Sequence, residues 1–179
     1  MPYPAYPTPR RPWLTALTLC VALAGAISSP RPALAEPALS PPVELRGTTT
    51  DGAPFDLTQR RGRVVMVVLW STGCAVCRDK MAELRANARG WVGQPFEVVL
   101  LNTDANPSAL AEYERLLKLT VPAEQRLIQL WRGAPGHRDT FGPAGTLPSV
   151  LLIDKQGRLV EQHHGRVPAP VWDRVAELL

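Results

Sequence analysis

The chain has 179 residues, which suits one domain with additional terminal segments. Its formal net charge is +4, but residues 1–35 contain three arginines and no acidic residue, so the remainder carries 17 basic and 16 acidic side chains and a net charge of +1. This near-neutral balance argues against binding to nucleic acid or to another polyanion.

Residues 1–35 have the pattern of a targeting segment. Arg10 and Arg11 give it a positive start, and residues 13–27 form an apolar run that is short for a membrane span. Residues 33–35 then read Ala-Leu-Ala, which is typical of a signal-peptide cleavage site. We therefore predict a cleaved signal peptide and a periplasmic protein. In the alternative, the apolar run is retained as a membrane anchor.

The folded domain is predicted to span residues 43–179, after a proline-containing linker over 36–42. An Asp-Gly pair between two apolar stretches predicts a β-hairpin with its turn at residues 50–53. The valine-rich run over 63–70 does not alternate between apolar and polar residues, so it predicts a central strand covered on both faces.

The rest of the chain alternates between helical and strand patterns. The further predicted elements are a helix over 74–87, a strand over 96–101, a helix over 108–117, strands over 149–154 and 158–162, and a helix over 170–179. The first half implies parallel strands joined by crossover helices, and the closing hairpin makes the sheet mixed. Residues 118–145 have the weakest pattern; there we predict a short strand over 124–130 and a helical turn over 136–141.

Cys74 and Cys77 form a C-x-x-C motif that directly follows a buried strand and opens a helix. The unpaired N–H groups and the dipole at a helix N-terminus favour a thiolate at the first cysteine. A second cysteine one turn later can resolve a mixed disulfide. We therefore predict that Cys74 is the exposed nucleophile and that Cys77, aligned with Met81 and Leu84, is the buried resolving thiol. Cys20 lies in the predicted signal peptide and would be removed with it.

The sequence around this motif resembles the thioredoxin superfamily, and most of all its exported TlpA-like and ResA-like branch. The resemblance covers residues 43–179 and rests on residues 61–63, 69–77, 96–99 and 146–160. It implies an α/β, thioredoxin-like three-layer fold. In that fold, a central mixed sheet carries helices on both faces, here with an N-terminal β-hairpin as an extension.

The resemblance also implies a function and a site. It places the family's cis-proline at Pro148 and makes Leu147, Pro148 and Trp70 candidate substrate-binding residues, with core packing as the alternative for Trp70. It implies a Cys74–Cys77 disulfide and a thiol–disulfide oxidoreductase that favours reduction. Expected partners are disulfide-bearing client proteins, in cytochrome c or metal-site assembly, and a membrane electron-donor protein. We expect a monomer. We expect no cofactor, because the two sulfurs carry both electrons.

Three positions depart from the family pattern. Gly73 stands where tryptophan is usual, Val76 where proline is frequent, and Lys80 where this branch commonly has glutamate. A glutamate-assisted proton transfer is therefore not carried over to this chain. Lys80 either stabilises the thiolate or is a solvated helix residue.

Other functions remain open for the cysteine pair. A structural disulfide is one, although so short a loop removes little entropy from the unfolded chain. A metal-binding chaperone is another, but His163 and His164 are neighbours on a strand, so only one of them can face a given site. A non-catalytic thioredoxin-like adaptor is a third. His137, after Pro135-Gly136, is predicted to lie in a surface loop.

Cleavage of the precursor after Ala35 is directly testable. We expect exported material to begin at Glu36 when it is analysed by intact-mass and N-terminal peptide mass spectrometry. Exported protein that still contains residues 13–27 would show that this segment is an anchor.

Overall fold

The computed structural model describes residues 41–179 of the protein. Its strands are β1 (Leu45–Thr48), β2 (Pro54–Asp56), β3 (Val64–Trp70), β4 (Phe96–Asn102), β5 (Ile128–Trp131), β6 (Arg138–Asp139), β7 (Ser149–Ile153) and β8 (Leu159–His164). Its α-helices are α1 (Ala75–Gly90), α2 (Pro107–Thr120) and α3 (Pro170–Leu178). Short 3-10 helices lie at Leu57–Arg60 and Ala123–Gln125.

A five-stranded mixed sheet forms the centre of the domain, in the order β5-β4-β3-β7-β8. β3 pairs in parallel with β4 and antiparallel with β7, and β5 and β8 form the two edges. All seven residues of β3 are buried, as its unbroken apolar sequence predicts. The predicted parallel first half and mixed sheet are confirmed.

The predicted N-terminal hairpin is also present. β1 and β2 pair antiparallel, and Gly52 supplies the positive φ of 85° that their turn requires. β6 adds to the other side of β1, which gives a second, three-stranded sheet in the order β2-β1-β6.

The two faces of β3 belong to two separate parts of the core. Val64, Met66, Val68 and Trp70 pack with the buried residues of all three α-helices. The alternate residues Val65, Val67 and Leu69 pack with the hairpin, the 3-10 helix at Leu57–Arg60 and Phe141. The predicted three layers are therefore present. The expected helices on both faces are found only in part, because all three α-helices pack on one face and the other face is covered by the small sheet and a 3-10 helix.

Residues 118–145, whose sequence pattern is weakest, are also the region where the structure differs most from the prediction. β5 overlaps the predicted strand over 124–130 only at residues 128–130 and ends one residue beyond it. The start of the predicted strand lies in the 3-10 helix at Ala123–Gln125. The predicted helical turn over 136–141 is wrong, because Arg138 and Asp139 are extended and pair with β1. The prediction of a surface position for His137 is also wrong: its side chain is 5% exposed.

Buried charges explain this difference. The Asp139 carboxylate accepts two hydrogen bonds from Arg132, at 2.8 and 2.6 Å, and one from the Phe141 amide at 3.0 Å. His137 Nε2 lies 2.8 Å from the same carboxylate, whose side chain is 3% exposed. These contacts need an extended backbone through Asp139, and hydrophobic periodicity carries no sign of them.

Asp139 should contribute to stability in a pH-dependent way. Burial alone would raise the pKa of its carboxyl, but the hydrogen bonds from His137, Arg132 and the Phe141 amide outweigh it and lower that pKa from 3.8 to about 2. A lowered folded-state pKa stabilises the fold above the unfolded pKa, and this contribution is lost as the pH falls from about 4 to about 2.

Asp139→Asn should therefore lower the free energy of unfolding by about 1–2 kcal/mol at pH 7, and the difference from wild type should shrink as the pH falls from about 4 to about 2. Urea unfolding followed at pH 7 and through this acid range measures this. The exposed Asp79→Asn serves as the control, and a pH-independent loss in Asp139→Asn would contradict the assignment.

Candidate active site

The two cysteines of the motif lie where β3 gives way to α1. They are joined by a disulfide, as the resemblance implies. Cys74 is the N-cap of α1 and is partly exposed, whereas Cys77 is 1% exposed and belongs to the core. The Cys77 amide donates a hydrogen bond of 3.1 Å to Cys74 Sγ. The first sulfur thus lies at the helix N-terminus, where negative charge is favoured.

The sequence of α1 explains why the two sulfurs differ in exposure. Cys77, Met81 and Leu84 are its buried residues, and they lie on one helical face against the sheet. Cys74 precedes the first helical residue and lies outside that buried row. Burial disfavours a thiolate at Cys77 in the reduced protein, while the helix start favours one at Cys74.

Trp70 ends β3 just before the active-site loop, but its side chain is 0% exposed. Its ring packs against Tyr113 of α2 with 4.7 Å between ring centroids, and burial raises the pKa of the Tyr113 hydroxyl. A fully buried ring presents no surface to a docked protein. This burial corrects the prediction of a direct substrate contact and matches the packing alternative.

Pro148 lies at the same end of the sheet. Its peptide bond with Leu147 is cis, as the resemblance implies. The next residue, Ser149, pairs with Leu69 of β3, so Pro148 is beside the point where the chain leaves β3 for Cys74. Pro148 is buried, and Leu147 is partly exposed and packs against both parts of the core. Their role in binding substrate stays a prediction.

Sequence analysis missed two polar residues that shape the site, Asn102 and Asp104. The Thr72 amide donates to both carboxylate oxygens of Asp104, at 3.1 Å each. Asn102, fully buried at the end of β4, donates to the same carboxylate at 2.9 Å. A signal for them existed: β4 is parallel to β3, and polar residues after the carboxyl ends of neighbouring parallel strands meet at one edge of the sheet.

Two cations on α1 behave differently. Arg78 Nη1 donates to the Thr72 carbonyl at 3.1 Å, which brings its charge to the loop before Cys74. The Lys80 ammonium instead pairs with Glu83 at 2.5 Å, one turn along the helix, and its side chain is 16% exposed. This pairing does not support a role for Lys80 in stabilising the Cys74 thiolate.

The described part of the chain contains no side-chain cluster that would support the metal-binding alternative. Among residues 41–179, no group of three or more histidine, cysteine, aspartate or glutamate side chains is arranged to hold a metal ion. The His163 ring is hydrogen-bonded to Glu161 on the same strand.

Within the described residues 41–179, no helix has the length and apolar character of a membrane span. The predicted signal peptide lies outside the described residues.

Comparison with known families agrees with this geometry. A family model described as Redoxin matches residues 34–178. The chain belongs to the Redoxin family. This membership confirms the resemblance to the thioredoxin superfamily on which the sequence-based predictions depend.

Two relatives of this Redoxin-family chain are named thiol-disulfide oxidoreductase ResA, from Bacillus thuringiensis (strain Al Hakam) and from Bacillus anthracis. Each is 26% identical over 119 residues, which cover 64% of this chain and 62% of the relative. The chain thus spans about three fifths of the length of these curated relatives.

Solved structures show the same fold. A thioredoxin-family thiol:disulfide interchange protein from Chlorobium tepidum TLS has a TM-score of 0.61 at 17% identity, covering 80% of this chain and 97% of that one. A DsbF homologue from Corynebacterium diphtheriae has a TM-score of 0.60 at 20% identity, covering 79% and 88%. These likenesses confirm the predicted thioredoxin-like fold.

Proposed function

We propose that the protein is an exported thiol–disulfide oxidoreductase in which Cys74 is the nucleophile and Cys77 the resolving thiol. The observation that carries this proposal is the unequal pair: a partly exposed cysteine, whose sulfur accepts an amide hydrogen bond at a helix start, is bonded to a buried cysteine. The name of the ResA relatives supports the same chemistry.

The exchange moves two electrons from the protein to its client. In the reduced protein, the Cys74 thiolate attacks one sulfur of a client disulfide, forms a mixed disulfide and releases the other client sulfur as a thiolate, which takes up a proton. Cys77 then loses its proton and attacks Cys74 Sγ. The intrachain disulfide forms, and the second client sulfur leaves as a thiol.

Clients are proposed to dock beside Leu147 and Pro148, where the loop before β7 meets the end of β3. The resemblance to the ResA-like branch favours the reducing direction, clients in cytochrome c or metal-site assembly, and a membrane electron-donor protein that restores the reduced pair. Export would follow from residues 1–35, with the linker over 36–42 leading to the domain over 43–179.

The division of labour between the sulfurs can be tested by labelling and trapping. Limiting iodoacetamide should label Cys74 of the reduced protein at least about tenfold faster than Cys77, because only Cys74 is both exposed and favoured as a thiolate. Peptide mass spectrometry measures both rates. Equal labelling would contradict the assigned roles.

The matched serine variants extend this test to clients. Cys77→Ser should accumulate mixed disulfides with periplasmic proteins through Cys74, since no thiol remains to resolve them. Cys74→Ser should trap almost nothing. If neither variant traps a protein and wild type reduces no protein disulfide, the pair is a structural disulfide and the proposed function is wrong.

Docking at Leu147 predicts a separation between client binding and thiol reactivity. Leu147→Ser should raise KM for a peptide disulfide about threefold to tenfold, because an apolar contact is lost, and should leave iodoacetamide labelling of Cys74 unchanged. Leu119→Ser, at a leucine of α2 that is 73% exposed, is the control. A KM equal to that of wild type in Leu147→Ser would remove this residue from the docking site.

A further inference from the structure

The backbone of Thr72 is held by charged side chains, one at its N–H and one at its carbonyl. Its N–H donates to the two carboxylate oxygens of Asp104, and Arg78 Nη1 donates to its carbonyl, all at 3.1 Å. We call Asp104, Thr72 and Arg78 the Thr72 clamp. Only Gly73 separates Thr72 from the nucleophile proposed above, so the clamp acts on the segment that presents Cys74.

Gly73 gives this segment little restraint of its own. A Cβ at this position would meet no atom within 4 Å, so the side-chain direction of the residue faces open space. Glycine also has the greatest backbone freedom of any residue. On the N-terminal side of Cys74, its amide donates to the Ser71 carbonyl at 3.2 Å, and on the helical side its carbonyl accepts from the Arg78 amide at 3.1 Å. The path by which the chain enters Cys74 therefore depends in part on how firmly Thr72 is fixed.

Asp104 is itself firmly attached to the sheet. Its carboxylate accepts from the buried Asn102 side chain, and its own amide donates back to Asn102 Oδ1 at 3.0 Å. The Trp131 indole donates to the Asp104 carbonyl at 2.8 Å. The clamp thus connects the ends of β4 and β5 to the first turn of α1.

The charges of the clamp act in opposite directions on a thiolate. The Asp104 carboxylate disfavours negative charge nearby, but its oxygens are already engaged with N–H donors from Thr72 and Asn102. Arg78 brings a cation to the carbonyl two residues before Cys74, and that charge favours the thiolate. Lys80, paired with Glu83, has no such contact.

We propose that Asp104 and Arg78 are positioning residues that set the reactivity of Cys74: Asp104 fixes the loop through the Thr72 amide, and Arg78 supplies the positive charge that the thiolate needs. The proposal rests on the redox function above. It also assigns to Arg78 the electrostatic role that one alternative gave to Lys80.

Arg78→Gln and Lys80→Gln form a matched pair, since each removes one cation from the same turn of α1. The rate of Cys74 alkylation by iodoacetamide is measured from pH 5 to pH 10 on the reduced full-length protein. We expect Arg78→Gln to raise the apparent pKa of the Cys74 thiol and to slow alkylation at pH 6 about twofold to fivefold, with rates converging at pH 10. Lys80→Gln should stay close to wild type. Equal effects, or none in Arg78→Gln, would overturn the role of Arg78.

Asp104→Asn and Asp104→Ala separate position from charge. Asparagine keeps an oxygen acceptor for the Thr72 amide and alanine does not. We expect Thr72 amide hydrogen exchange to be slow in wild type, similar in Asp104→Asn, and at least about tenfold faster in Asp104→Ala. Alkylation at pH 6 should be at least about threefold slower in Asp104→Ala than in Asp104→Asn, because both lack the charge and differ only in the acceptor.

A Thr72 amide that exchanges freely in wild type, or equal alkylation of the two Asp104 variants, would refute the clamp. If Asp104→Ala fails to fold, two measurements still test the proposal: hydrogen exchange of the Thr72 amide in wild type, and the comparison of Arg78→Gln with Lys80→Gln. None of these readouts needs a client. If they hold while the wild type reduces no protein disulfide, the proposed function fails and the positioning role stands.

Discussion

The packing of β3 on both of its faces is the constraint on which the rest of the domain depends. Seven consecutive buried residues are shared between two separate parts of the core. A strand buried in this way has one register with its neighbours, because a shift by one residue would exchange the side chains of the two faces. The end of β3 is therefore fixed in space, and with it the start of the loop to Cys74.

Elements that carry their own local pattern were predictable from sequence. β3, β4 and the three α-helices follow from apolar runs and helical spacing, and the hairpin follows from its Asp-Gly turn. β6 could not be predicted in this way, because two residues contain no periodicity. Its conformation depends on pairing with β1, which is distant in sequence, and on the ion pair between Arg132 and Asp139.

The same distinction holds at the site. Cys74 and Cys77 lie close together in sequence, and their C-x-x-C spacing indicates redox chemistry directly. Asp104 contacts Thr72 across 32 positions, and its importance appears only when β3 and β4 lie side by side. Trp70 shows the converse: the family resemblance suggests an accessible ring, but Tyr113 covers it from a helix whose position the sequence pattern leaves undetermined.

The second face of the central sheet is closed by segments that lie far apart in the sequence. The Glu44 amide donates to the Thr140 hydroxyl, 96 positions later, and β1 pairs with β6. A ribosome delivers the hairpin long before Asp139 exists, so the apolar side chains of Leu45 and Phe55 stay without their full cover during most of synthesis. Contacts of such long sequence separation form late and slowly. Until the later segments are made, these apolar side chains are exposed, and exposed apolar surface on an incomplete chain favours aggregation.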